Sequence, residues 1–301
     1  MWTKGSQPLL VCCYNIKTML KILKITAFFV LLTSYSFFYT QAEGITQLST
    51  KEYGVFLGLN KKDIKKDERH LLSYKILVLE AEECSEEMLS VFRNNEQKVF
   101  AYINIGSLET YRSYYKIYEK FLLDTYEDWP DEYWIDVSQK EWQDFITEKL
   151  AKKYKNLGFY GFFIDNIDVY YQYPTKEIYE GLVVILTKLK KSGLKIIING
   201  GDVFLNKLMD TNVGLELFDG VNQECVFTSI NFKKNTYGVQ SLKERRYFDD
   251  YLQRIKQHKK MIFLLEYGAS KQLQKEIADY CKKKGFIYFI SKDKTLKKHM
   301  N

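Results

Sequence analysis

Gly161-Phe162-Phe163-Ile164-Asp165-Asn166-Ile167-Asp168-Val169 runs a bulky apolar strand straight into two carboxylates. A strand buried on both faces reads as an unbroken apolar run and belongs to a parallel sheet covered by helices. In α/β barrels the residues at the C-terminal end of such a strand point into the mouth where chemistry occurs. Asp165 thus sits at a reactive position, unless it only caps the next turn or pairs with a neighbouring cation. The other strand ends decide between these.

Outward from that strand, the chain beyond residue 52 alternates short apolar runs with helix-period segments, the pattern of βα units. Strands are expected at residues 53–59, 75–80, 98–104, 161–165, 195–199, 220–224, 260–267 and 286–291. Eight such units match the count and size of an α/β protein with a (β/α)8 TIM barrel in a single domain, here residues 43–301. A doubly wound open sheet is the alternative. Ser138 with Glu141 and Ser241 with Glu244 have capping-box spacing, and Trp142, Phe145, Ile146, Leu150 and Tyr154 then share one helical face up to Gly158. The stretch 107–132, with Tyr111, Tyr114, Tyr115, Tyr118, Tyr126 and Trp129, reads either as a substrate wall or as an extra helix with an aromatic packing face.

Of 301 residues, 46% are hydrophobic and 28% charged, enough to bury a full core. Residues 1–42 do not belong to it. Lys21 and Lys24 precede Ile25-Thr26-Ala27-Phe28-Phe29-Val30-Leu31-Leu32, with small and polar residues through Ala42, the order of a secretory signal. Cleavage after Ala42 makes the protein extracellular, whereas an uncleaved signal leaves it membrane-anchored through residues 19–42. Loss of that segment takes four lysines and no acid from a chain of formal charge +7, leaving a mildly basic domain. Its lysines lie scattered on helical segments without aromatic interleaving, which argues against nucleic acid. Cys84, Cys225 and Cys281 form neither a disulfide framework nor a zinc pattern, and His70, His258 and His299 are far apart. No phosphate-binding glycine loop occurs. No metal or cofactor is expected, and the protein is read as a monomer.

The strand ends carry Glu80, Asn104 with Glu109 soon after, Asp165 with Asp168, Asn199, Glu224, and Glu266-Tyr267. A ring of acids and amides at one end of apolar strands suits glycoside hydrolysis, which needs two carboxyl groups.

The series Ala101-Tyr102-Ile103-Asn104-Ile105-Gly106-Ser107-Leu108-Glu109-Thr110-Tyr111-Arg112, the 161–168 stretch, Ile197-Ile198-Asn199-Gly200, Gly220-Val221-Asn222-Gln223-Glu224 and Leu265-Glu266-Tyr267-Gly268 resembles the endo-α-1,4-polygalactosaminidase family of glycoside hydrolases. The resemblance spans residues 53–291. It implies hydrolysis of α-1,4-linked galactosamine or N-acetylgalactosamine polysaccharide, with Asp165 as nucleophile and Glu224 as acid/base if the chemistry is retaining. It also implies a binding set of Tyr102, Asn104, Glu109, Arg112, Asp168, Asn199, Glu266 and Tyr267, with Arg112 locking Glu109 through a bidentate pair. Glu80 departs from the Asp common at the second strand end of that family. An acidic mouth would favour a cationic aminosugar polymer. Neutral α-linked glycans, a carbohydrate-binding barrel without turnover, and a cell-surface interaction protein are the competing readings.

Overall fold

The computed structural model describes residues 51–298, so the segment read as an export signal lies outside the described residues. In chain order the strands are β1 (Lys51–Phe56), β2 (Tyr74–Leu79) and β3 (Lys98–Asn104), then β4 (Ser107–Glu109), β5 (Leu122–Thr125) and β6 (Glu132–Ile135) in an insertion. After these come β7 (Gly161–Asp165), β8 (Lys195–Asn199), β9 (Gly220–Glu224), a hairpin of β10 (Thr228–Asn231) and β11 (Thr236–Val239), β12 (Met261–Tyr267) and β13 (Ile287–Ser291).

Eight of them pair in parallel in the order β1-β2-β3-β7-β8-β9-β12-β13. β1 lies beside β13, with the Phe56 and Phe289 rings 5.2 Å apart, so the sheet curls into a nearly closed barrel. Helices fill the crossovers, as parallel strands require. Val55, Phe163, Ile197, Phe263 and Leu265 are among the strand residues buried in the barrel.

Four of the crossover helices begin where the sequence supplies an oxygen for a free backbone donor. Ser85 accepts from Met88 N, Thr175 from Ile178 N, Ser241 from Glu244 N and Ser270 from Leu273 N, each three residues on. Helix Lys176–Lys190 then buries Ile178, Leu182, Ile185, Leu186 and Leu189 along one face.

Two local expectations are corrected. Ser138 caps nothing: its hydroxyl donates to Asp136 Oδ1 at 2.6 Å, a nearer acceptor, and the helix starts at Lys140 without a side-chain cap. That helix passes through a π-helical turn, Phe145–Leu150, before Ala151–Leu157. The insertion is mainly neither a helix nor a loop; β4, β6 and β5 form an antiparallel sheet around the short helix Tyr115–Tyr118. Its aromatics divide: Tyr114 and Tyr118 pack on Phe145 at 4.6 Å each, while Tyr111, Tyr126 and Trp129 face the barrel mouth.

Candidate active site

At the C-terminal ends of the barrel strands lies a cavity of about 600 Å³. Its floor is Asp165 and Glu224, the last residues of β7 and β9, with Asn199 of β8 between them. Asn199 Nδ2 donates to Asp165 Oδ1 at 2.8 Å and to Glu224 Oε1 at 2.7 Å. Each carboxylate has a phenol on its other oxygen: Tyr102 donates to Asp165 Oδ2 at 2.8 Å, and Tyr267 to Glu224 Oε2 at 2.6 Å.

These environments separate the two acids. Burial pushes the Glu224 carboxyl up to about 7, the Asp165 charge adds to that, and the bonds from Tyr267 and Asn199 oppose it. Burial also raises Asp165, but donors from Asn199, Tyr102 and the Asn166 backbone favour its ionised form. The Asp165 charge thus favours a proton on Glu224, while the three donors favour the ionised form of Asp165 against its burial.

Asp168 stands beside them, its two oxygens accepting from Gly201 N at 3.1 Å each. Burial and the charge of Asp202 raise it to about 7. The neighbouring position has to be glycine. Gly200 has φ +64°, and a Cβ there would meet Asp168 Oδ2 at 2.6 Å.

Tyr102, Glu109, Asp168, Asn199 and Tyr267 line the same cavity as the pair. Three residues expected to bind substrate do not line it. Asn104 turns its amide to Ser107 Oγ at 2.6 Å and to Glu132 Oε1 at 2.9 Å. Arg112 is buried behind Glu80 and Glu109, holding Glu109 through two bonds of 3.2 and 2.9 Å and Glu80 through two of 3.1 and 3.0 Å. The expected lock on Glu109 is therefore present, and it also orients Glu80, which reaches the cavity. Glu266 is fully buried and accepts from Phe227 N, Thr228 N and the Thr228 hydroxyl, fastening the loop that follows Glu224. It points away from the mouth because it alternates with Tyr267 along β12.

Other residues reach the cavity without having been singled out. Glu132 accepts from Asn104, from Asn166 at 2.8 Å and from Ser107, and burial followed by the Glu109 charge raises it to about 7. Phe232, in the turn of the β10–β11 hairpin, and Lys294, after β13, meet Trp129 above the floor. The Lys294 ammonium is 5.4 Å from the Trp129 ring and 5.0 Å from that of Phe232. Sequence offered no direct signal for these two, since a hairpin tip and a terminal loop have no fixed place in a barrel. Among the described residues no group of three or more His, Cys, Asp or Glu side chains is arranged to hold a metal ion.

Two carboxyl groups facing one cavity are what most glycosidases use, and here the pair stands at the mouth of the barrel. Residues 45–300 match the profile of glycoside-hydrolase family GH114. The chain belongs to this family. It is therefore a glycoside hydrolase, and the resemblance read from the five sequence stretches points to the same family. Among solved structures, the glycoside hydrolase domain of PelA from Pseudomonas aeruginosa is similar in fold, with a TM-score of 0.66 at 16% identity over 83% of this chain and 96% of that one. Aspergillus fumigatus Ega3 in complex with galactosamine gives 0.61 at 15% identity, over 84% and 96%. The α-galactosidase TtGalA from Thermus thermophilus, in complex with p-nitrophenyl α-D-galactopyranoside, gives 0.54 at 10% identity, over 80% and 57%. No curated protein matches. The GH114 profile covers the whole set of cavity-lining residues, from Val55 to Leu296.

Proposed function

We propose that this GH114 protein cleaves an α-linked galactosamine-containing polysaccharide with retention of configuration, Asp165 acting as nucleophile and Glu224 as acid/base. The observation that carries the mechanism is the shared amide. Asp165 Oδ1 and Glu224 Oε1 both bond to one Asn199 nitrogen, so they are no further apart than those bonds of 2.8 and 2.7 Å laid end to end. A retaining pair stands roughly 5–5.5 Å apart and an inverting pair roughly 6.5–9.5 Å, to admit a water. The closer spacing favours direct attack by Asp165 on the anomeric carbon while Glu224 gives its proton to the departing oxygen. Water then breaks the resulting glycosyl ester, with Glu224 taking back the proton.

The substrate class is supported by the Ega3 complex with galactosamine and by the charge of the cavity. Glu80, Glu109, Asp131, Glu132, Asp165, Asp168 and Glu224 line it, against Lys294 alone among basic residues of that lining. Such a field draws free amino groups and repels anionic glycans. Export with cleavage near Glu43 is part of the same proposal, resting on the charged, apolar and small-residue order of residues 21–42; N-terminal sequencing of secreted protein tests it.

For the mechanism, the experiment is hydrolysis of an aryl α-galactosaminide followed by proton NMR of the first anomer released. An α-anomer is expected from the wild type. Glu224→Gln with added azide should give an α-galactosaminyl azide, whereas Asp165→Asn should lose turnover on both the aryl substrate and a galactosamine polymer. A β-anomer as first product would rule out retention.

A further inference from the structure

The amide that joins the two carboxylates is itself oriented from across the barrel. Asn199 Oδ1 accepts from Asn222 Nδ2 at 2.6 Å, and Asn222 Oδ1 accepts from the Tyr53 hydroxyl at 3.1 Å. Tyr53 is 2% exposed on β1 and Asn222 0% exposed on β9. Neither lines the cavity. The Tyr53 ring is set by packing 4.7 Å from Phe263 of β12, so its hydroxyl is delivered to a fixed place.

We propose that Tyr53 is a positioning residue of the hydrolase reaction, acting through Asn222 to keep the amino end of Asn199 turned toward Asp165 and Glu224. A primary amide has a donating end and an accepting end, and the two have nearly the same shape. Asn199 can take two flipped orientations of the same shape: one offers N–H groups to the acids, the other its carbonyl oxygen. A carbonyl facing an ionised Asp165 repels it and loses both bonds that hold the pair together. The choice is made by the chain of donors. A phenol is a better donor than acceptor, and the Tyr53 hydroxyl donates to Asn222 Oδ1; the Asn222 amino group then faces Asn199, which answers with its own oxygen. What remains for Asp165 and Glu224 is the amino end.

Both carboxylates should register the loss of that donor in the same direction. A bond from Asn199 favours the ionised form of each, so weakening it raises both. The other titratable groups around the pair are Tyr102, Glu109, Tyr126, Glu132, Asp168, Cys225 and Tyr267, none of which bonds to Tyr53 or Asn222.

The inference rests on Asp165 and Glu224 being the reacting pair, and the test keeps the two apart. Tyr53→Phe removes one oxygen and keeps the ring. On an aryl α-galactosaminide it should lower kcat by about tenfold to a hundredfold, the range expected when reacting groups lose their alignment, with KM within about twofold of the wild type because no cavity wall changes. Both limbs of its pH profile should move to higher pH. In an Asn199→Ala background the same substitution should change neither kcat nor the profile, since the amide it orients is gone. If Tyr53→Phe melts at a lower temperature, the comparison is made where circular dichroism shows it folded, and the pH profile decides. A wild-type kcat and profile in Tyr53→Phe, beside an inactive Asp165→Asn, overturns the relay alone. An undiminished effect of Tyr53→Phe in the Asn199→Ala background also overturns it. Full activity in Asp165→Asn removes the reading of the pair, and the relay with it.

Discussion

Glu224 keeps its proton up to about pH 7 because it sits out of water facing Asp165, so kcat/KM should fall as pH rises through that value. In Glu224→Gln, assayed on an aryl substrate whose leaving group needs no proton, that alkaline limb should vanish. A limb that persists near pH 7 would shift attention to Asp168 or Glu132, which are raised to the same range. Glu266 titrates there too, raised by burial, but its work is mechanical. Replacing it by Ala strands the donors of Phe227, Thr228 and the Thr228 hydroxyl in a dry site, at a cost of about 3 kcal/mol or more. The melting temperature should drop by roughly 6–12 °C for a domain of this size; calorimetry showing less than about 2 °C would contradict the anchor. The acids and amides at the strand ends were legible in sequence, but their directions were only partly so. Period-2 alternation along β12 separates Glu266 from Tyr267, whereas nothing local reveals that Asn104, level with Asp165 in the ladder, would turn aside to hold Ser107 and Glu132.

At the scale of elements, the site depends on segments outside the barrel ladder. The β4–β6–β5 sheet brings Tyr111, Tyr126 and Trp129 to the mouth, and the β10–β11 hairpin brings Phe232 against Trp129 at 5.8 Å. Tyr126 stacks on Trp134 at 4.3 Å and is thereby fixed, while Trp129 is 39% exposed and offers a face to a passing chain. Trp129→Ala should therefore raise KM on a galactosamine polymer by about tenfold, the worth of a lost aromatic contact of ~1.4 kcal/mol, and leave an aryl monosaccharide substrate within about twofold. Equal effects on both substrates would place Trp129 at the reacting sugar instead. The insertion was legible as aromatic but not as a sheet, because its strands of three and four residues are too short to show alternation. Of the two helix starts read from capping-box spacing, Ser241 does accept from Glu244 N, although its own N–H goes to Gln240 rather than to Glu244, and Ser138 does not cap because Asp136 captures its hydroxyl.

Across the whole molecule, folding gathers carboxylates into places that favour their protonated form. Glu132, Asp168, Glu224 and Glu266 are all raised to about 7, against ordinary values near 4. Between those limits the folded protein holds more protons than the unfolded chain, so stability is fullest below about pH 4 for these groups and is lost as pH rises through 7. The carboxylates shifted the other way, Glu87, Asp144, Asp219 and Asp249, are ionised in both states over most of that window and do not offset the trend. Melting temperatures should thus be several degrees higher at pH 5 than at pH 8, with a smaller difference in Glu224→Gln; an increase toward pH 8 would show that the buried acids do not govern stability. The barrel itself was legible from eight apolar runs because most residues of each strand are buried, and β3, β7, β8 and β9 fall where the runs do. What closes over the barrel was not, since it depends on meetings between distant segments. Gly58, just after β1, lies so close to the segment after β13 that a Cβ there would be 1.9 Å from the Thr295 carbonyl oxygen. The two ends of the domain are thus pressed together at the rim of the cavity, with Leu57 on one side and Lys294 on the other. A contact spanning so much chain bears a large loop-closure penalty and gains nothing until the strands between have formed. On refolding from denaturant, enzymatic activity should return with the slowest phase, after the fluorescence of the deeply buried Trp142 has recovered, and no fragment ending before β13 should acquire it.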